Sequence, residues 1–400
     1  MGWGQSSDKF GYFLTGRSTF ARVPFELQSN LIIVPVTING SDTLRFILDT
    51  GVSTTIITDP AAVVKQKLKY SRQVKLVGAG DGQALVASVS GGNTLKMGRM
   101  MATFQNLVVL EEDILKLSEV VGTPIHGIFG YEIFNNFVVT IDFLNKELLL
   151  YSPKSYKYRS YKGDKYPIVV EDTKPYTSIM ALVENDRTLP LKVMIDTGAG
   201  HALLLDKYDN RQIKLPEKTI RTQLGRGLNG IISGDMGRIK KIKFGKHTLN
   251  NLIASYPDSL SFGMKLSANT ERQGNIGCEL LRRFIVTFNY NEQYMVLKPI
   301  RGLMKEAFEH DMSGVEIRTK GEKNSTRKYI IDNVVVGSPA WEAGVEENDE
   351  LIFVNDRLTS EMTTSEMTRL LQKGDGKEVS FFVRRNGQIQ YIKFKLKRMI

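Results

Sequence analysis

Phe46-Ile47-Leu48-Asp49-Thr50-Gly51 and Val193-Met194-Ile195-Asp196-Thr197-Gly198 decide the reading of this chain. Each places Asp-Thr-Gly directly behind an apolar, strand-like run. The two aspartates lie 147 positions apart, and the same offset carries Gly78 to Gly225, Gly80 to Gly227, Gly130 to Gly277, Glu132 to Glu279 and Thr140 to Thr287. An offset that persists over about a hundred residues marks a duplicated unit. Each half therefore supplies one carboxylate.

The surrounding pattern is β-rich in both halves. Leu31 to Ile38 is strongly β-branched, Asn39-Gly40 makes a hairpin turn, and Leu44 to Leu48 returns into the first motif. In the second half Thr177 to Val183 runs out, 184–186 turns, and Leu191 to Ile195 returns into Asp196. Apolar strands follow both motifs, at Thr55-Ile56-Ile57 and at Ala202 to Leu205. Glycine-rich turns come next, around Gly78, Gly80 and Gly82 and around Gly225, Gly227 and Gly230. Helical periodicity is scarce, with one short helix expected after Gly130 and one after Gly277.

Composition sets the outer limits. Four hundred residues, 42% hydrophobic and 24% charged, suffice for two or three domains with cores of their own. No stretch approaches the roughly 18 apolar residues of a membrane span. The net charge of +11 has no long basic block behind it. The densest run, Lys154 to Lys162, interleaves Tyr with Lys and Arg, but it falls between the repeats and reads as a solvated linker rather than a nucleic-acid strip. The single cysteine, Cys278, excludes an internal disulfide framework and reads as a buried bystander, since its offset partner is Tyr131. Met1-Gly2-Trp3-Gly4-Gln5-Ser6 formally fits a myristoylation pattern but equally fits the tail of an export signal or a cloning remnant. Export is the expectation, giving a periplasmic or secreted protein.

Two aspartates held face to face cannot both ionise, so they share one proton and titrate as a pair. The ionised member can take a proton from a water while the protonated member donates to a carbonyl oxygen. That division of labour hydrolyses an amide without metal or cofactor, and none is expected here. In this scheme each Thr hydroxyl ties its loop to the opposite one, and each Gly turns the chain with its N–H aimed at the carboxylate.

With these residues in view, residues 23 to 300 resemble the aspartic protease superfamily, specifically bacterial retropepsin-like proteins with both lobes on one polypeptide. The resemblance implies a mainly β, bilobal acid-protease fold and a monomer acting on a peptide or protein substrate. It assigns Asp49 and Asp196 to the catalytic pair and Thr50, Gly51, Ser53, Thr197, Gly198 and Ala199 to the active-site loops. It further implies that Ile128, Phe129 and Gly130, with Ile276 and Gly277, buttress those loops, and that Gly78, Gly80, Gly82, Gly225, Gly227 and Gly230 lie in two flaps. The sequence departs from the family at Gly200, where a hydroxyl able to bond the second carboxylate is missing, and at Asn275, where an apolar buttress residue is expected. The lost bond should raise that carboxyl and move the working range toward neutral pH.

After about Arg301 the character changes. Gly337-Ser338-Pro339-Ala340 and Ala343-Gly344-Val345, followed by Asp349 through Asp356, resemble a PDZ domain, a small α+β barrel-like unit. The resemblance implies capture of a C-terminal peptide on Ser313, Gly314, Val315 and Ile317, with the 364–372 helix as the other wall. The chain thus divides into an amino-terminal segment (1–22), lobe one (23–155), lobe two (156–300) and the PDZ unit (301–400).

Two decoys fall away. Gly225-x-Gly227-x-x-Gly230 spells a dinucleotide fingerprint, but Ile231 to Asp235 is too turn-rich for the helix that motif needs. The four histidines show no ligand spacing, and His201, close to Asp196, reads as a bystander. Two functions from different classes remain: an aspartic-type endopeptidase, or a peptide-binding protein on a protease scaffold that has lost turnover.

Overall fold

The computed structural model describes residues 10–76, 78, 84–183, 187–207, 213–228, 230–258, 272–320 and 327–400. About 52% of the chain is strand and 12% helix. The described residues form four sheets: one large sheet per lobe, a six-stranded sheet joining the lobes, and a fourth for the PDZ unit.

The offset seen in the sequence is written into the strand registers. In lobe one the Leu44–Leu48 strand runs parallel to Gly127–Phe129, pairing Phe46 with Gly127 and Leu48 with Phe129. In lobe two Arg187–Ile195 runs parallel to Gly274–Ile276, pairing Val193 with Gly274 and Ile195 with Ile276. Every partner has moved by the same 147 positions. Parallel neighbours buried on both faces need uninterrupted apolar side chains, and Phe46, Leu48, Val193 and Ile195 are all buried.

The lobes meet about a pseudo-twofold axis. Strands Val138–Asp142 and Phe284–Asn289 pair antiparallel with Thr140 opposite Thr287, and their hydroxyl oxygens are 2.7 Å apart. One continuous apolar core runs through both lobes, including Phe134 stacked edge-on against Phe288. The PDZ unit has a core of its own, built around Tyr329, Leu351, Val354, Met367 and Phe381. The short helices expected after Gly130 and Gly277 are present, at Tyr131–Asn136 and Cys278–Leu281.

The described part of the amino-terminal segment joins lobe one, since Gly11–Leu14 pairs with Met100–Leu110 and Phe20–Pro24 with Glu147–Tyr151. The Lys–Tyr run is the largely exposed linker expected between the lobes, but it is anchored at one buried ring. Tyr156 is buried, its ring 5.2 Å from that of Tyr151, and the Lys162 ammonium lies 4.2 Å from its ring centroid. Cation–π contacts fold the run onto the interlobe sheet, which the local alternation alone does not signal. The pattern Met1 to Ser6 lies outside the described residues.

Candidate active site

Each Asp-Thr-Gly turn follows the buried end of its strand, and backbone bonds fix where it points. Asp49 N donates to Phe129 O (2.9 Å) and Asp196 N to Ile276 O (2.9 Å). The buttress residues therefore hold the aspartates by their own backbone. Gly130 and Gly277 sit where no side chain fits. A Cβ on Gly130 would lie 2.4 Å from Val52 O, and one on Gly277 would lie 2.3 Å from His201 O and 2.7 Å from Ala199 O. The adjoining helices reach back to the loops, Tyr131 N donating to Val52 O (2.9 Å) and Cys278 N to Ala199 O (2.7 Å). Replacing Gly130 with Ala is expected to cost about 1–3 kcal/mol, the usual range for overpacking a closed site. Thermal melting of the variant checks this, and an unchanged midpoint would show that the contact yields freely.

The two loops lock together at their threonines. Thr197 Oγ1 accepts from Thr50 N (3.0 Å) and donates to Leu48 O (2.9 Å). Thr50 Oγ1 accepts from Thr197 N (3.0 Å) and donates to Ile195 O (2.6 Å). Both threonines are fully buried. Gly51 N and Gly198 N donate to the Oδ1 atoms of Asp49 and Asp196, at 2.6 and 3.1 Å. The loops approach so closely that a Cβ on Gly198 would lie 2.2–2.6 Å from the Asp49 carboxyl group. This cross-bracing brings the two carboxyl groups within hydrogen-bonding reach of each other.

Their environments differ. Asp49 is pushed up to about 8, first by burial and then by the neighbouring Asp196 charge. Asp196 is also raised by burial, but the Arg272 guanidinium, Gly198 N and the Asn275 amide all oppose the rise. Asn275 Nδ2 donates to Asp196 Oδ2 at 3.0 Å. Arg272 is buried, its Nη1 3.7 Å from Met194 Sδ. The Asn275 amide and the Arg272 guanidinium therefore favour the charge on Asp196, and with it the shared proton on Asp49.

This geometry revises two readings of the sequence. Ser53 Oγ is 2.7 Å from Thr173 Oγ1 and not on Asp49, so the hydroxyl missing at Gly200 has no counterpart in lobe one. Gly200 is small for another reason, since a Cβ there would lie 2.7 Å from Ser29 O. Asn275 is no flaw in the buttress. It supplies the polar contact that the Asp196 carboxylate needs. The rise of Asp196 comes from burial, not from a lost bond.

Sequence reasoning missed Arg272, because the offset maps it onto Ile125 and duplication therefore gave no signal. It also missed the role of Glu132, which accepts from Thr54 Oγ1 (2.7 Å) and Thr55 N (3.1 Å) behind lobe one's loop. Its repeat partner Glu279 instead pairs with Arg282 (2.8 Å) and Arg283 (3.3 Å). His201 lines the cleft and is lowered to about 4 by burial, so it is neutral and adds no charge to the pair. Cys278 is buried, donating to Thr197 O (3.3 Å) behind the loop.

Above the pair, the glycine turns belong to β-hairpins. Tyr70–Leu76 pairs with Leu85–Met97, and Thr219–Gly227 with Gly230–Phe244. The second hairpin accounts for the fingerprint-like glycines as strand ends. Gly80 and Gly82 lie outside the described residues. Gly78 is so close to Leu228 that an added Cβ would lie 2.7 Å from its Cβ, and Leu228 packs on the lobe-one cluster of Ile56, Leu85 and Leu110. The two hairpins thus meet over a cavity of about 1310 Å³ that has Asp49 and Asp196 in its wall, with Leu31, Ile128, Met194 and Ile253 among the apolar residues around them.

In the PDZ unit the expected carboxylate loop is already engaged. Asp311 Oδ1 accepts from Ser313 N (2.9 Å) and Gly314 N (2.8 Å), while Ile317 packs against the domain core. A ligand carboxylate on Ser313, Gly314 and Val315 would have to displace Asp311. The side chain two residues upstream gave no periodic or motif signal of this.

A bilobal β scaffold with paired aspartates under two hairpins defines an acid-hydrolase architecture. The chain belongs to the aspartyl protease family, whose profile matches residues 34–133 and 180–280, together half of the chain, and a PDZ domain profile matches 330–385. No curated protein matches the chain.

Proposed function

We propose that this protein is an aspartic-type endopeptidase that cleaves an extended peptide laid between the two lobes. The observation that carries the reading is the cross-braced, differently supported pair. Asp196, ionised beside Asn275 and Arg272, would draw a proton from a bridging water. Asp49, still protonated at neutral pH, would donate to the scissile carbonyl oxygen. Proton transfer at both ends of the water attack leaves a tetrahedral gem-diol. Asp196 would then give its proton to the leaving nitrogen while Asp49 takes one from a hydroxyl. The C–N bond breaks to an amine and an acid, with the pair restored and no covalent enzyme adduct. The apolar side chains beside the pair, Leu31, Ile128 and Met194 among them, would strengthen the charges there once a peptide displaces water from the cleft.

A fluorogenic peptide library assayed from pH 3 to 9 tests this. The competent state carries one proton on the pair. Activity is therefore expected to persist through neutrality and to fall as pH rises through about 8, where Asp49 releases its proton. Its acid limb is expected above the ordinary carboxylate value, because Asp196 is also raised. An optimum below about 4, the unperturbed range, would contradict the assignment. Absence of turnover on every peptide would leave a binding protein on this scaffold.

A further inference from the structure

The PDZ groove is bounded by Val315–Lys320, the edge strand of its sheet, and by the Thr364–Leu371 helix. Both ends of it are engaged by this same chain. At the loop end Met312 N donates to Leu371 O (3.0 Å), closing the loop on the helix. Asp311 Oδ1 accepts from Ser313 N, Gly314 N and Ser313 Oγ (2.5 Å), and Val315 N donates to that same Ser313 Oγ (3.3 Å). Consecutive N–H groups of this kind are what a peptide's terminal carboxylate requires, and here an internal carboxylate already holds them.

At the other end a piece of lobe one enters the groove. Thr319 Oγ1 donates to Glu119 O (2.9 Å) and Ser118 O (3.4 Å) in the Leu117–Val121 helix, and Arg318 pairs with Glu119 at 3.5 Å. Gly122 caps that helix with φ +75° and lies between the two walls. A Cβ on it would be 1.9 Å from Thr364 Oγ1 and 3.5 Å from Thr319 Cγ2. A peptide strand laid along Val315–Lys320 would have to evict this turn.

The same walls reach the cleft. Ser365 Oγ accepts from Ser29 N (3.0 Å) and donates to Gln28 Oε1 (2.9 Å), while the adjacent Asn30 Nδ2 donates to Gly200 O (3.1 Å) in the loop after Asp196. Glu316 accepts from Thr222 Oγ1 (2.5 Å) and Gln223 N (3.1 Å) in the lobe-two hairpin. The cavity that holds Asp49 and Asp196 extends to Asp311, Thr368 and Gln372.

We propose that the PDZ groove is a receptor for this chain's own Leu117–Gly122 turn. Its carboxylate loop, filled by Asp311, does not take free C-termini, and the filled groove latches the PDZ unit across the mouth of the cleft. The latch is a property of packing and stands whether or not the aspartate pair turns over.

Two measurements on the full chain decide it. First, short peptides randomised in their last positions are made as free acids and as amides, and their binding is followed by fluorescence polarisation in the Asp49→Asn background, where turnover cannot consume the probe. The expected result is no preference for the free acids. A preference of about tenfold or more, equivalent to about 1.4 kcal/mol, would overturn the proposal without recourse to any further variant. Second, Gly122→Gln, from the lobe side, and Thr319→Arg, from the PDZ side, are each compared with wild type by amide hydrogen exchange. Eviction of the turn is expected to speed exchange in both 315–320 and 364–371 by about tenfold or more, a local opening rather than global unfolding. Exchange unchanged in both segments in either folded variant would show that the turn holds nothing in place.

Discussion

Replacing Asp49 with Asn is expected to lower peptide turnover by at least about a thousand-fold, since one positioned proton donor or acceptor contributes roughly 10²–10⁴-fold and this residue serves both steps. A side-chain amide can hydrogen-bond to the carbonyl oxygen but neither transfers a proton to it nor accepts one back, so both steps lose their proton carrier. Peptide binding should persist, because the cleft walls and the hairpins that close it do not depend on that proton. The same substitution has a second, opposite signature. Asp49 is held near 8 in the folded chain, against about 4 when unfolded. Between those values the folded state keeps a proton that the unfolded state releases, so wild-type stability falls as pH rises, by at most about 1.4 kcal/mol per pH unit. A side-chain amide at this position does not titrate and removes that loss. The variant is expected to melt above wild type at pH 8 and to lose the advantage at pH 4 and below. Dead at every pH but more stable at pH 8 is a combination that misfolding cannot produce. Turnover equal to wild type would end the protease reading.

The parts of this fold that the sequence disclosed are those that duplication or backbone sterics force into view. Asp-Thr-Gly recurred because each lobe must present one carboxylate. Gly130 and Gly277 recurred because a carbonyl oxygen lies where their side chains would be. Thr140 and Thr287 recurred because they face each other across the axis. What stayed hidden is what breaks the symmetry. Arg272 and Asn275 serve only Asp196, and Glu279 has turned away to Arg282 and Arg283, whereas Glu132 still braces its loop. A pair that must divide one proton unequally needs unlike surroundings, and unlike surroundings leave no repeat to find. Asn275 was visible only as a departure from a pattern, and the departure is where the asymmetry resides. Asp311 was hidden for a related reason. A side chain that satisfies a loop from within looks, in one dimension, like any other surface acid.

Thr50→Val is expected to destabilise the chain by about 2–4 kcal/mol and to lower kcat by about a hundred-fold. Valine has the volume of threonine, so packing is nearly unchanged and the effect isolates the hydroxyl. That hydroxyl accepts from Thr197 N and donates to Ile195 O in a site without solvent access. Its loss leaves a buried N–H with no acceptor, worth about 1–3 kcal/mol, together with an abandoned carbonyl. Thr197→Val should mirror the effect through Thr50 N and Leu48 O. The four bonds form one closed network, so the double variant is not expected to lose the sum of the two. The interlobe strands, bound through Thr140 and Thr287 and an apolar core, would still hold the lobes together. The cost should therefore fall on the alignment of Asp49 with Asp196, where a displacement of about 1 Å is worth about a hundred-fold in rate. It should appear in kcat rather than KM, because the walls that bind peptide do not move. Denaturant unfolding and steady-state kinetics on both single variants separate the two effects. If both variants keep wild-type stability and wild-type kcat, the hydroxyls are not what holds the carboxyl groups face to face, and the pairing must come from the buttress strands alone.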